Sequence, residues 1–378
     1  EVLDSRKGHV IAGKKFHFIG AGGIGMSGLA QLLMKNEAII TGSDQCQSCV
    51  TDKLCMLGAD IKIGHKAENF CEDADSVVIS AAITEDNPEL AAARQKGCEV
   101  FKYAQMLGKL MDCYDGVAIA GTHGKSTTSG WLSYSLRNAG VDASYLVGAE
   151  VSQLENSCGV GEEKVFVVEA CEYDRSFLNL RPKVACLLNI EADHLDYYRD
   201  EDEIVDAFMQ FALNTKRDGV VIANGQDANV AKVLSKLGGF VRYETFGLEN
   251  YCNFCARNIK LVKSYYSFDV YHNGNNLGRV KISLAGEHNV MNALAVIAIA
   301  YNLGVDIKKL FEVLPDFTGI NRRLMFKDSV DGIVVLDDYA HHPTEIRASL
   351  KAIRERYAPK RLFCIFQPHQ YSRTRFLL

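Results

Sequence analysis

The sequence predicts an α/β protein of two or three domains with largely parallel sheets, and three observations predict it. β-rich runs alternate with helical stretches, and several of those runs are apolar without interruption, as strands covered on both faces are. Two glycine-rich turns each leave a strand and open a helix. A chain of 378 residues is long enough for two or three separate cores. Its 48% hydrophobic and 24% charged residues exclude a mainly disordered chain.

Taken in order, strands are predicted at residues 15–19, 38–41, 76–80, 117–120, 165–168, 184–188, 220–222, 333–336 and 362–366. A helix over 24–36 follows the first glycine turn, and another runs from the second to about residue 138. The stretch 254–284 has a different texture. There, runs at 264–271 and 279–284 flank Asn273-Gly274-Asn275-Asn276, which reads as an antiparallel hairpin. The apolar stretch 293–301 is well short of the roughly 20 residues that cross a bilayer, so no membrane insertion is expected. Boundaries fall just before the strand at 117 and where Asp316-Phe317-Thr318-Gly319-Ile320-Asn321 breaks a helical pattern, giving units 1–112, 113–320 and 321–378.

Charge and cysteine content narrow the partners. Lys and Arg number 42 against 47 Asp and Glu, a net charge of −5, so no nucleic-acid partner is expected and a phosphate-rich ligand must be held locally. The 12 Cys are dispersed, and the N-terminus shows no charged-then-apolar leader, which predicts reduced thiols and a cytoplasmic location. Cys46/Cys49 and Cys252/Cys255 could together offer zinc four thiolates, but they lie far apart with no adjacent His, and no joint metal site is expected.

The first turn, Gly20-Ala21-Gly22-Gly23-Ile24-Gly25, lets a pyrophosphate approach backbone at a helix N-terminus, and Asp44 follows the second strand where a ribose-binding acid is expected. On these residues alone NAD is favoured over a nucleotide sugar. The second turn, Gly121-Thr122-His123-Gly124-Lys125-Ser126-Thr127-Thr128, is a shortened phosphate loop, since strict spacing would put Gly where Ile119 stands. Its backbone N–H groups can cradle ATP phosphates, Lys125 can neutralise β and γ oxygens, and the Ser126 hydroxyl can reach magnesium.

Glu169 and Glu172 end one later strand, and Asn189-Ile190-Glu191-Ala192-Asp193-His194 ends another, where parallel strands converge on a ligand crevice. They read either as magnesium ligands or as solvated turn acids. Asn289 and Asn292, after Gly286-Glu287-His288, either face a ligand or cap their helix. Arg322-Arg323 could reach a transferring phosphate. Asp337-Asp338-Tyr339-Ala340-His341-His342-Pro343-Thr344-Glu345 and Gln367-Pro368-His369-Gln370-Tyr371-Ser372-Arg373-Thr374 are further polar strand ends of the kind that build a site.

Together and in this order, these motifs resemble the Mur ligase family, and the resemblance runs from about Lys15 to the last residue. It implies three domains: a Rossmann-like N-terminal domain, a central P-loop ATPase-like domain carrying the hairpin region, and a partial Rossmann-like C-terminal domain, apparently cut short. It makes Gly20, Gly22, Gly23, Gly25, Met26, Ser27 and Asp44 contacts to a UDP-sugar rather than NAD. The motifs at 339–345 and 366–374 are similar to the branch that joins L-alanine to UDP-N-acetylmuramate through an acyl phosphate, with ATP and Mg2+.

By that resemblance Lys125 stabilises phosphate charge, His123 positions the acyl phosphate, and Ser126, Glu169 and His194 hold magnesium. Gly121, Thr122, Gly124 and Thr127 complete the phosphate cradle. His288, Asn289 and Asn292 face adenine, Arg323 the phosphates and Asp338 the ribose, while His369 and Arg373 take a substrate carboxylate. Ser126 stands where Thr is commoner, Cys171 departs from a more acidic run, and the absence of Lys between His194 and Lys216 argues against the carbamylated Lys of sister ligases. A ligase adding a preformed peptide, an NAD-dependent dehydrogenase and a catalytically silent binding fragment are the competing expectations.

Overall fold

The structure, a computed structural model, describes residues 11–154, 156–195, 197–262 and 265–368. The first sheet comprises β1 (Lys15–Ile19), β2 (Ile39–Asp44), β3 (Asp60–Ile63), β4 (Ser76–Ile79) and β5 (Glu99–Lys102), all parallel in the order β3-β2-β1-β4-β5. The order reverses between β1 and β4, and the first glycine turn leaves β1 at that switch point. Helix Ile24–Lys35 buries Leu29, Leu32 and Leu33 against Phe16 and Phe18 of β1.

The second sheet has ten strands in the order β15-β14-β13-β12-β11-β10-β6-β9-β7-β8. Its parallel centre holds β6 (Asp115–Ala120), β7 (Ser144–Leu146), β9 (Val165–Glu169), β10 (Val184–Leu187), β11 (Val220–Asn224) and β12 (Tyr243–Gly247), with β8 (Cys158–Gly159) antiparallel at one edge. Val117, Ala118, Ile119 and Ala120 are fully buried, as a strand covered on both faces requires. Helix Glu287–Asn302 is apolar nearly all round because it is buried nearly all round, from Ala293 through Ala300. Among the described residues no helix is long and apolar enough to cross a membrane.

The predicted hairpin is present: β14 (Tyr265–His272) and β15 (Asn275–Ile282) pair antiparallel across Asn273 and Gly274, whose φ values of 49° and 81° make the turn. β13 (Phe254–Val262) extends it, pairing antiparallel with β14. Ser264, read as part of the run, lies outside the described residues.

Two expectations fail in the C-terminal part. The strand at 333–336, read as one step of a parallel alternation, is β17 (Ile333–Asp337) of an antiparallel hairpin with β16 (Met325–Val330). Asp331 and Gly332, with φ of 50° and 79°, form a tight turn that fixes this pairing. Residues 362–366 form no strand, and Phe363 and Ile365 are 83% and 99% exposed. Their β-rich composition measures fit to a half-buried pleated surface, and among the described residues no strand pairs with them. Helix Pro343–Tyr357 follows β17 and packs over the mouth of the central sheet.

Candidate active site

The second glycine turn leaves the buried end of β6 and opens helix Lys125–Asn138. Gly124 has φ of +83°, and a Cβ there would lie 2.9 Å from Asn292 Oδ1, so both conformation and space demand glycine. Asn189 braces the turn, accepting from His123 N at 2.7 Å and donating to His123 O at 3.0 Å. Thr122 is committed to the same brace, its Oγ1 accepting from Glu191 N at 2.8 Å. Ser126 and Thr127 line the cavity above.

Lys125 Nζ lies 2.9 Å from Glu172 Oε1 and donates to Gly121 O at 2.6 Å. Burial opposes its charge, but Glu172 and Glu169 outweigh it and hold the pKa above the ordinary Lys value. His194 Nε2 lies 3.9 Å from Glu172 Oε1 and 3.8 Å from Asp193 Oδ2. Glu169 Oε2 instead accepts from Gly148 N at 2.9 Å. Of the expected set of Ser126, Glu169 and His194, the carboxylate found beside the imidazole is thus Glu172. Glu172 Oε2 is buried with no hydrogen-bond partner. An orphaned carboxylate oxygen among acids, a hydroxyl and an imidazole is a donor set that suits magnesium.

A second polar cluster joins the turn to the C-terminal segment. His123 Nδ1 lies 3.3 Å from Glu345 Oε1 and Nε2 lies 3.5 Å from Glu191 Oε2, while the His342 ring sits 4.6 Å from the His123 ring. Burial depresses the His123 pKa, but Glu191 and Glu345 outweigh it and lift it to about 8. The neighbouring His123 draws Glu191 down to about 2. Burial of Glu345 is likewise overcome by His123 and Arg323, which hold its carboxyl far below the usual carboxylate range. Arg323 Nη1 donates to Glu345 Oε1 at 3.1 Å.

Between these parts opens a cavity of about 390 Å³, lined by His123, Ser126, Asn189, His288, Asn289, Asn292, Arg323 and Asp338 among others. That volume is in the range of nucleotide and cofactor pockets. Asn289 and Asn292 are not caps, since Gly286 occupies the N-cap and no side chain caps the helix. They hydrogen-bond each other at 3.0 Å, and Asn289 Nδ2 meets His288 Nε2 at 3.1 Å. Burial lowers the His288 pKa, so its imidazole is neutral. Asp338 braces its own segment, accepting from Leu324 N at 2.9 Å and Ala340 N at 2.6 Å.

The first turn lies in the N-terminal sheet. Gly22 N donates to Asp44 Oδ2 at 2.7 Å, and a Cβ on Gly22 would sit 2.8 Å from that oxygen. Met26 and Ser27 are corrections: their side chains are 4% and 6% exposed and face the core behind the turn. Beneath this region Glu89 is fully buried, bonded to His17 Nε2 at 2.9 Å, Ser43 Oγ at 2.7 Å and His65 Nδ1 at 3.0 Å. His369 and Arg373, expected at a substrate carboxylate, lie outside the described residues.

Glu172, Glu191, His342 and Glu345 received no individual role in the sequence reading. The available signal was that each sits inside a polar strand-end motif already singled out.

Residues 15–114 match the Mur ligase family, catalytic domain; residues 119–300 match the Mur ligase middle domain; and residues 322–377 match the Mur ligase, glutamate ligase domain. The UDP-N-acetylmuramate–L-alanine ligase of Caldanaerobacter subterraneus is 44% identical over 367 residues, covering 97% of this chain and 79% of that protein. Among solved structures, UDP-N-acetylmuramate-alanine ligase from Thermotoga maritima aligns with a TM-score of 0.76 at 29% identity, over 91% of this chain and 78% of that one. The UDP-N-acetylmuramate:L-alanyl-gamma-D-glutamyl-meso-diaminopimelate ligase from Neisseria meningitides gives 0.75 at 31% identity, over 82% of this chain and all of that one (100%).

Proposed function

This chain belongs to the Mur ligase family, and we propose that it is the ATP-dependent ligase that joins L-alanine to the carboxylate of UDP-N-acetylmuramate, the first amino-acid addition in peptidoglycan precursor synthesis. This supersedes NAD at the first glycine turn. The observation that carries the reading is a phosphate loop, with its lysine at the base, opening into a 390 Å³ cavity that the C-terminal helix closes.

A carboxylate is a poor electrophile, so it first attacks the γ-phosphate of ATP, giving an acyl phosphate that the amino group of alanine then attacks. Lys125 exchanges Glu172 for the β and γ oxygens. His123, protonated up to about 8, offers positive charge beside the transferring phosphoryl group. Arg323 adds a second cation from the C-terminal segment. The adenine lies against His288, Asn289 and Asn292, and the ribose against Asp338; support for this is that all four line the cavity. Ser126, Glu169, Glu172 and His194 would hold magnesium, which when bound neutralises repulsion between the carboxylate and the phosphoryl group.

In this reading residues 1–112 hold the UDP-sugar at the first glycine turn, 113–320 hold ATP, and 321–378 complete the site, with His369 and Arg373 at a substrate carboxylate. Dependence on ATP makes the cytoplasm the compartment of the reaction. The Neisseria likeness supports a second reading, transfer of a preformed peptide to the same sugar. The acyl-phosphate step is tested by labelling the substrate carboxylate with heavy oxygen. The label is expected in the released phosphate, and unlabelled phosphate would exclude the intermediate.

A further inference from the structure

We propose that His123, Glu191 and His342 form a binding site for a borderline divalent transition-metal ion, such as Zn2+ or Co2+, that ties the phosphate loop to the C-terminal helix. The site is separate from the magnesium donors around Glu172 and His194, and it does not rest on the ligase reading, since it needs only three donors and a space between them.

The geometry is that of an open ligand triangle. His123 Nε2 and His342 Nδ1 lie 3.5 and 3.6 Å from the same atom, Glu191 Oε2. Those separations are long for hydrogen bonds, but they approach the edge of a tetrahedron whose metal–ligand bonds are about 2.0 Å, roughly 3.3 Å. All three donor atoms lie within 4.8 Å of one another, and among the described residues this is the one such group of three.

The surroundings are those of a ligand shell. His123 Nε2 is buried without a hydrogen-bond partner, while Nδ1 of the same ring faces Glu345 Oε1 at 3.3 Å. A carboxylate behind one ring nitrogen fixes the tautomer and leaves the other nitrogen's lone pair for a metal. Arg323 holds Glu345 in turn, at 3.1 Å. Glu191 Oε2 is oriented by the Thr344 hydroxyl at 2.7 Å. His342 Nδ1 accepts a 3.3 Å bond from Thr344 N, which the ion would replace.

Two imidazoles and one carboxylate select zinc, cobalt or nickel over magnesium, which prefers oxygen. Because His123 and Glu191 also line the 390 Å³ cavity, a fourth ligand, water or a phosphate oxygen, has access. His342 is the N-cap of helix Pro343–Tyr357, so an ion here would pin that helix to the phosphate loop.

The test is a Co2+ titration of the full chain without magnesium or nucleotide, read by visible absorption. One equivalent should give the intense ligand-field bands of a low-coordinate nitrogen and oxygen site. Glu191→Ala and His342→Asn should lose them, with affinity down at least about tenfold. Asparagine keeps a helix cap while removing the imidazole, so loss of the bands with helical circular dichroism intact reports the ligand rather than the fold. His194→Ala should retain them. Bands unchanged in Glu191→Ala and His342→Asn, bands lost in His194→Ala, thiolate charge transfer in their place, or no stoichiometric binding would each overturn the proposal.

Discussion

Lys125 Nζ and Glu172 Oε1 meet at 2.9 Å with both side chains largely buried, so the cation of the phosphate loop is neutralised from within the protein. A phosphate must take this lysine from an acid that is itself well placed to bind magnesium. Lys125→Met should therefore cut phosphate release about 100-fold or more and, by stranding a buried carboxylate, destabilise the fold by about 3 kcal/mol. Adding Glu172→Gln should restore stability in urea unfolding but leave the enzyme inactive. Recovered activity in the double variant would show that Lys125 is structural.

Asn292 touches both the loop and the cavity, since Gly124 could not carry a Cβ without meeting its Oδ1. Asn292→Ala is expected to raise KM for ATP about tenfold and leave KM for alanine unchanged, in line with loss of one hydrogen-bonding group. Steady-state kinetics with each substrate varied in turn checks this.

The first glycine turn gives the opposite pattern. A methyl group at Gly22 collides with Asp44, so Gly22→Ala should raise KM for UDP-N-acetylmuramate about tenfold while KM for ATP holds. A rise in KM for ATP instead would remove the nucleotide sugar from this turn.

Glu89 supplies the pH dependence of the N-terminal sheet. Burial pushes its pKa up, but bonds from His17, Ser43 and His65 outweigh that and hold it below the ordinary 4.5. A depressed carboxylate contributes stability above 4.5 that is lost as pH falls through its folded value. Glu89→Gln should lower stability at neutral pH by about 2 kcal/mol and flatten the acid limb of the melting-temperature profile. An unchanged acid limb would show that other groups govern it.

The parts of the site that local backbone needs dictate were legible in the sequence. Gly121 to Thr128 announces itself because a strand, a left-handed glycine and a cationic helix start must be contiguous. The Asn273-Gly274 hairpin was legible for the same reason, and Asp331-Gly332 carried the same signal but was read past. Glu172 and Glu345 were not legible as partners, because what defines them is a residue far away in the chain, Lys125 for one and His123 for the other. Sequence spacing carries no trace of such a meeting. Residues 362–366 show the converse error, in which composition indicated a strand but no pairing partner is present among the described residues.

The central claim is tested most directly by measuring phosphate release as each substrate is omitted in turn. The account predicts release only when ATP, Mg2+, UDP-N-acetylmuramate and L-alanine are present together. Release without any amino acid would contradict it, as would release that a preformed peptide supports and alanine does not.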